Sequence, residues 1–281
     1  MREIDVKLVE DKVFEECGRI AVQYDPGILE GFRKAYEEET DERSRAAVKM
    51  LLENAEIAEK ERIPICQDTG LVIVWLKVGQ EVHFVNGSLY EAVHNGVRRS
   101  YTENCLRASA VDDPLFDRKN TKDNTPAVIY TEITEGDRVV IELMAKGFGS
   151  ENKSAVKMLT PAEGEEGVRA FVLDTIRNAG PNACPPFIVG VGIGGTFDSC
   201  AVLSKRALLR PLHEGNSDPR YRKLEDELLE AANRLKVGPM GFHGKTTALK
   251  VQIEYAPTHI AGLPCAVNMC CHVCRHAKAV I

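Results

Sequence analysis

Residues 41–62, DERSRAAVKMLLENAEIAEKER, put Val48, Leu51, Leu52, Ala55 and Ala58 at helical spacing among charged positions, which predicts an amphipathic helix. Pro64 stops it. LVIVWLKV (71–78) is an apolar run of strand length that follows the turn IPICQDTG. Ser88 with Glu91 forms a capping-box pattern and opens a helix to about Leu106. AVIYTEI and RVVIELMA, separated by TEGD, predict two strands of a hairpin. Residues 165–179 predict a helix with Gly180 at its C-terminal stop. CPPFIVGVGIGGTF then reads as a buried strand entering a glycine loop. Helices follow from about Asp198 and over about 219–236, and TTALKVQIEYA returns as a strand.

These elements predict a mixed α/β (α+β) body, with helices packed on a mixed sheet and the chemistry on loops at one end. DDPLFDRKNTKDNTPA (112–127) and KGFGSENKS (146–154) are the polar loops. No regular βαβ alternation is present, so a Rossmann fold is not expected. Gly190, Gly192 and Gly195 satisfy G-x-G-x-x-G, but a lone match of this kind carries little weight. Without repeats or a low-complexity linker, residues 1–281 are expected to form a single domain whose N-terminal part, to about residue 62, is largely helical.

Composition narrows the function classes. Of 281 residues, 44% are hydrophobic and 28% charged, as in a folded globular chain. The net charge of −6 and the lack of a basic stripe argue against nucleic-acid binding. No run of about 18 apolar residues predicts a membrane span. The N-terminus, MREIDVKLVEDKVFEECGRI, is too charged for a signal peptide and too acidic for a transit peptide, so a cytoplasmic location is expected.

There are nine cysteines, an odd number, and a cytoplasmic chain of this size does not need disulfides; some are expected in the core and the rest are candidates for metal binding or catalysis. Cys66 lies in the polar turn PICQDTG, where it is either a plain loop residue or a metal ligand. Cys184 precedes two prolines, and a Cys-Pro step is common beside iron–sulfur sites; a turn cysteine is the bland alternative. CAVNMCCHVCRH (265–276) holds Cys265, Cys270, Cys271 and Cys274 with His272 and His276. Cys271-x-x-Cys274 has zinc-compatible spacing, yet no second C-x-x-C pair exists. Cys66, Cys184 and Cys271 are too far apart in sequence for a local finger and could meet only from three separate loops. Arg107, Lys146, Lys153, Lys205, Arg206 and His259 are candidate anion-binding positions near the glycine turns.

PICQDTG (64–70), KGFGSENKSAVKML (146–159), CPPFIVGVGIGGTFDSCAVLSKRALLR (184–210) and HIAGLPCAVNMCCHVCRH (259–276) together resemble the class I, iron–sulfur-dependent fumarate hydratase and L-tartrate dehydratase family. The similarity is to its alpha subunit and spans essentially the whole chain. It implies a [4Fe–4S] cluster held by three cysteines, which look like Cys66, Cys184 and Cys271, with Cys270 as the neighbouring alternative for the third. Cys265, Cys270 and Cys274 depart from the family pattern and leave room for an extra metal site.

The resemblance also implies roles. Asp68 looks like the carboxylate that moves the substrate proton together with a threonine of the partner domain, and His259 like a histidine that contacts substrate. Gln67, Arg107, Gly147 and Gly149 would line the substrate pocket, with the Arg107 fork suited to a carboxylate. The implied activity is hydro-lyase chemistry on a small dicarboxylate. Hydration of fumarate to (S)-malate is the first expectation, L-tartrate dehydration the second, and a zinc-binding structural module the non-enzymatic competitor. A separate beta subunit and a hetero-oligomer such as α2β2 are expected.

Overall fold

The computed structural model describes residues 1–281. In chain order its elements are β1 (Arg2–Asp5), α1 (Val6–Val22), α2 (Pro26–Glu38), α3 (Glu42–Glu61), β2 (Leu71–Gly79), β3 (Val82–Val85), α4 (Leu89–Glu103), β4 (Val128–Thr134), β5 (Val139–Lys146), the single turn α5 (Phe148–Glu151), β6 (Ala155–Leu159), α6 (Gly164–Ala179), β7 (Phe187–Gly195), α7 (Phe197–Ala207), α8 (Pro219–Arg234), β8 (Ala248–Thr258), β9 (Leu263–Cys270) and β10 (Arg275–Val280). The result is the mixed α/β body anticipated above. Helices start where the sequence supplies caps: Asp5 Oδ1 accepts from the Lys7 N–H at 2.8 Å, and Asp218 Oδ1 from that of Arg220 at 2.9 Å. Thr196 and Ser199 form a reciprocal capping box at the start of α7. No helix is long and apolar enough to cross a membrane.

The chain divides into two compact units. The first comprises Met1–Asp25, Ala55–Phe148 and Arg275–Ile281. Its main sheet has the order β10-β5-β2-β4, with β2 antiparallel to β5 and parallel to β4. Val72, Val74 and Leu76 of β2 join Ile141 and Leu143 of β5 in a core with Val9 and Val13 of α1 and Val93 and Val97 of α4. Gly96 lets the two helices close on each other, since a Cβ there would stand 2.6 Å from the Glu10 carbonyl oxygen.

The expected hairpin is only half right. Both strands form, as β4 and β5, but β2 lies between them. The TEGD segment instead spans two strand spacings, about 10 Å, across the end of β2. It is secured there by the Gly79 N–H to Arg138 O and the Glu81 N–H to Gly136 O, at 2.8 and 3.0 Å. A near-continuously buried strand such as β2 needs a neighbour on each edge, and that requirement overrides the local turn signal.

The second unit comprises Pro26–Asn54 and Gly149–Cys274. Its sheet has the order β6-β9-β7-β8, with β7 parallel to β8 and antiparallel to β9. Strand alternation divides β7 between two layers. Phe187, Val189 and Val191 enter a core with Val172 and Ile176 of α6 and Leu228 of α8. Gly190 and Gly192 face α7, where a Cβ would collide with the Ser204 and Cys200 carbonyl oxygens respectively. Gly190 and Gly192 therefore serve close helix-on-strand packing inside a strand.

Gly192→Ala is expected to destabilise the protein by about 2–3 kcal/mol through overpacking, read as a lower urea midpoint at unchanged slope.

Candidate functional site

In the first unit the turn PICQDTG leaves α3 and enters β2. The Ile65 N–H bonds Ala21 O at 2.9 Å and fixes its start. The Asp68 N–H points at Cys66 Sγ, 3.4 Å away, and the Cys66 thiol reaches Gln67 Oε1 at 3.3 Å. Asp68 then folds into an Asx turn: Oδ1 accepts from the Gly70 N–H at 3.0 Å, and Oδ2 accepts from the Phe148 N–H at 2.9 Å. Two backbone donors thus fix the carboxylate beside Gly147.

Gly70, at φ 85°, runs so close to the end of β5 that a Cβ would meet the Ala145 carbonyl carbon at 2.7 Å. Its carbonyl and that of Thr69 are buried and must be satisfied internally. The single Tyr101 O–H is shared between Thr69 O and Gly70 O, 2.8 and 2.9 Å away. Asn124, fully buried, donates from Nδ2 to Gly70 O at 3.0 Å and accepts the Ser109 N–H on Oδ1 at 2.8 Å. The Thr69 hydroxyl donates to Arg107 O at 2.8 Å. One network therefore ties the Cys66–Asp68 turn to the backbone that carries Arg107, whose side chain is exposed. Burial raises the Tyr101 phenol well above its usual range, so it remains a donor.

The second unit holds Cys184 and Cys271. Cys184 has a left-handed backbone, φ 53°, before Pro185. Its carbonyl accepts the His272 N–H at 3.1 Å and faces His272 Nδ1 at 3.1 Å, so the two cysteine loops are stitched together. Cys270 is the last residue of β9, paired with Ile188 and 3% exposed; Cys271 is the first residue beyond the strand and half-buried. His259 is exposed on the β8–β9 connection, where its Nδ1 accepts the Ala261 N–H. Cys271 lies at the opposite end of β9, about 23 Å of strand away at 3.3 Å per residue. Gly149 belongs to this unit and is exposed. Lys205 forms an ion pair with Glu151, which also accepts from Asn268.

Exposure sorts the cysteines. Cys66, Cys184 and Cys271 are half-buried, Cys105 is exposed, and Cys17, Cys200, Cys265, Cys270 and Cys274 are buried. Burial pushes the Cys17 and Cys265 thiols up to about 12 and raises that of Cys200, which disfavours the thiolate a metal needs. Cys274 directs its thiol to Leu208 O and Cys271 to Val273 O. No group of three or more His, Cys, Asp or Glu side chains is arranged to hold a single metal ion.

Residues 10–280 match the model of the fumarate hydratase (Fumerase) family. The chain belongs to that family. Among curated members of known name, the putative L(+)-tartrate dehydratase subunit alpha of Methanocaldococcus jannaschii is 41% identical over 275 residues, covering 96% of each chain. The L(+)-tartrate dehydratase subunit alpha of Escherichia coli O157:H7 is 32% identical over 266 residues, covering 93% of this chain and 87% of the relative. As a member of the fumarate hydratase family, the protein is a hydro-lyase.

Sequence reasoning singled out Cys66, Gln67, Asp68 and Arg107, and noted Thr69 only as a polar neighbour, but missed Tyr101, Asn124 and Arg275 around them. Asn124 sits in a loop that reads only as polar, and Arg275 is masked by the cysteines beside it.

Asn124→Ala would leave the Ser109 N–H unpaired and remove one donor from the buried Gly70 carbonyl, with an expected loss of about 1–3 kcal/mol. Calorimetric unfolding measures it. Asp123 next to it gives a pH signature. Burial pulls its carboxyl up, but the Thr125 hydroxyl and N–H and the Arg98 guanidinium outweigh that and hold it at about 2. The stability it contributes is present above its unfolded value near 4 and lost as pH falls toward 2. Asp123→Asn is therefore expected to lower the urea midpoint at pH 7, by a margin that shrinks below pH 4.

Proposed function

We propose that the protein is the alpha subunit of an iron–sulfur hydro-lyase acting on a four-carbon dicarboxylate, with Cys66, Cys184 and Cys271 as ligands of a [4Fe–4S] cluster. The observation that carries this reading is the sorting of the thiols: the half-buried cysteines are these three and no others. The donor set fits the group. Three thiols at loop positions suit a cube that takes each thiolate on a different iron, an arrangement unlike the convergent ligands of a single ion. Cys271 is favoured over Cys270 because Cys270 is enclosed in β9. With only three protein ligands, such a cluster would supply an open iron as Lewis acid for the departing hydroxyl.

The chain's own residues do the rest. Asp68, oriented by the Gly70 and Phe148 N–H groups, exchanges the proton on the carbon next to the one that loses hydroxide. Arg107 offers a bidentate fork to a substrate carboxylate, on backbone held by Thr69. Gln67, exposed beside Cys66, is a polar contact for substrate. Gly147, buried, permits close approach to its backbone. His259 lies at the far end of the second unit's sheet from Cys271, and this reading assigns it no step.

Fumarate was the first expectation from the sequence, but the named relatives favour the alternative. The Escherichia coli relative is named as an L(+)-tartrate dehydratase alpha subunit and the Methanocaldococcus jannaschii one as a putative such subunit, with 87% and 96% of their lengths aligned. We therefore assign L-tartrate dehydration first and fumarate hydration second, in a hetero-oligomer with a beta subunit.

The test is anaerobic co-expression with the candidate beta subunit and assay on L-tartrate, (S)-malate and fumarate. Cys66→Ser, Cys184→Ser and Cys271→Ser should each bleach the broad absorption near about 400 nm and abolish turnover. Cys265→Ser should keep both. A colourless wild-type protein binding stoichiometric zinc would overturn the reading.

A further inference from the structure

The first unit's main sheet ends at β4, which pairs with β2 alone, in parallel and without a register shift. The Gln80 N–H bonds Thr134 O at 2.8 Å, so the Thr134 carbonyl points toward β2. Strand alternation turns the backbone of Val128, Tyr130 and Glu132 the same way, and turns the N–H and C=O groups of Ile129, Thr131 and Ile133 outward. The Ala127 N–H, in phase with those three, is met by His94 Nδ1 at 3.3 Å. No group in the chain meets the outward backbone of the next three.

Elsewhere the chain protects its sheet edges. On the outer edge of β8, the Ile253 N–H bonds Glu225 Oε1 and the Ile253 carbonyl accepts from Asn216 Nδ2, both at 2.7 Å. The edge strands β6 and β10 carry Lys157 and Lys278 respectively. β4 has none of these devices. It is seven residues, VIYTEIT, with no proline or lysine, and all but Glu132 are β-branched or aromatic. Ile133 is 65% exposed. An open edge of this kind is a template for another strand.

The residues of β4 specify which strand. Two copies paired antiparallel over the whole of Val128–Thr134 place Thr131 on the two-fold axis. Ile129 of each copy then lies opposite Ile133 of the other, Thr131 opposite Thr131, and Val128 opposite Thr134, so β-branched side chains match across the contact. Glu132, the one charged residue, falls opposite Tyr130. A two-residue slip that brought Glu132 opposite its own copy would set like charges together and shorten the overlap. In the full-length register Ile129, Thr131 and Ile133 form the hydrogen-bonded pairs, each exchanging both backbone bonds. Tyr90, 47% exposed, has its hydroxyl 3.0 Å from Thr131 Oγ1 and widens the contact on the α4 side. We propose that β4 is an interface between two copies of this chain, joined edge to edge about Thr131 so that their four-stranded sheets become one. The contact is isologous and closes on itself. It is independent of the hydro-lyase reading and supplies the contact between alpha chains in a hetero-oligomer.

The experiment is sedimentation equilibrium on the full chain, alone and co-purified with the candidate beta subunit, with circular dichroism to establish folding. Both preparations should hold two copies of the chain. Ile133→Lys alters only an exposed side chain and should raise the dimer Kd by about tenfold or more. Thr131→Pro removes an outward N–H without touching the β2 ladder and should give a monomer; Ile133→Lys decides if that variant does not fold. Thr131→Cys puts two Cα atoms about 5.5 Å apart across the axis, within the disulfide range of about 4.4–6.8 Å. Mild oxidation should therefore join the chains covalently above the wild-type background, whereas Ile260→Cys, 92% exposed elsewhere, should not. A single copy in both preparations, a dimer unchanged in folded Ile133→Lys, or no cross-link through Thr131→Cys overturns the proposal. An Ile133→Lys chain that stays dimeric but releases the beta subunit also overturns it and gives the edge to a strand of that subunit.

Discussion

The buried carbonyls of Thr69 and Gly70 impose the constraint on which the first unit's chemistry depends. The turn must pass tightly against β5 to present Asp68 next to Gly147, and that path takes two backbone acceptors out of water. Unmatched, each would cost about 1–3 kcal/mol. Tyr101 from α4 and Asn124 from the long polar loop satisfy them, and Thr69 passes the restraint on to Arg107. The Asp68 carboxylate is thus held through buried groups outside its own turn. Such support lets a site be built in advance of binding instead of being assembled by it.

The second unit solves a related problem differently. Cys184 adopts a left-handed backbone, which for a residue with a side chain is stable only when its surroundings enforce it. The His272 N–H to Cys184 O bond enforces it here and couples the Cys184 loop to Cys271. Beneath these loops β7 is pinned between α7 on its glycine face and the α6–α8 core on the other. The helices fix the strand, and the strand fixes where the cysteine loops begin and end.

The local code of the chain was legible in most of its elements. The helix over 42–61, the Ser88 cap, the Gly180 stop and the buried strands β2 and β7 all follow from spacing and capping that involve neighbours in sequence. So did the set of polar-turn residues around Cys66. The strands in the cysteine-rich C-terminal segment were not legible, because cysteine is both an apolar core residue and a ligand and its pattern is ambiguous between the two. Pairing was not legible either: β4 and β5 look like partners along the chain, and only the burial of β2 on both edges separates them.

What the residues decided alone was which chemistry was on offer, since thiols, carboxylates and guanidinium groups bring their reactivity wherever they fold. What folding decided was which of them is available for use. Cys265 and Cys17 became core thiols because strand and helix packing removed them from water, while Cys66, Cys184 and Cys271 kept an open side. Arg275 and Asp68, more than two hundred positions apart, came to face one glycine because β10 and β2 both pair with β5. Desolvation and long-range pairing depend on the whole chain at once, and no window of sequence contains them.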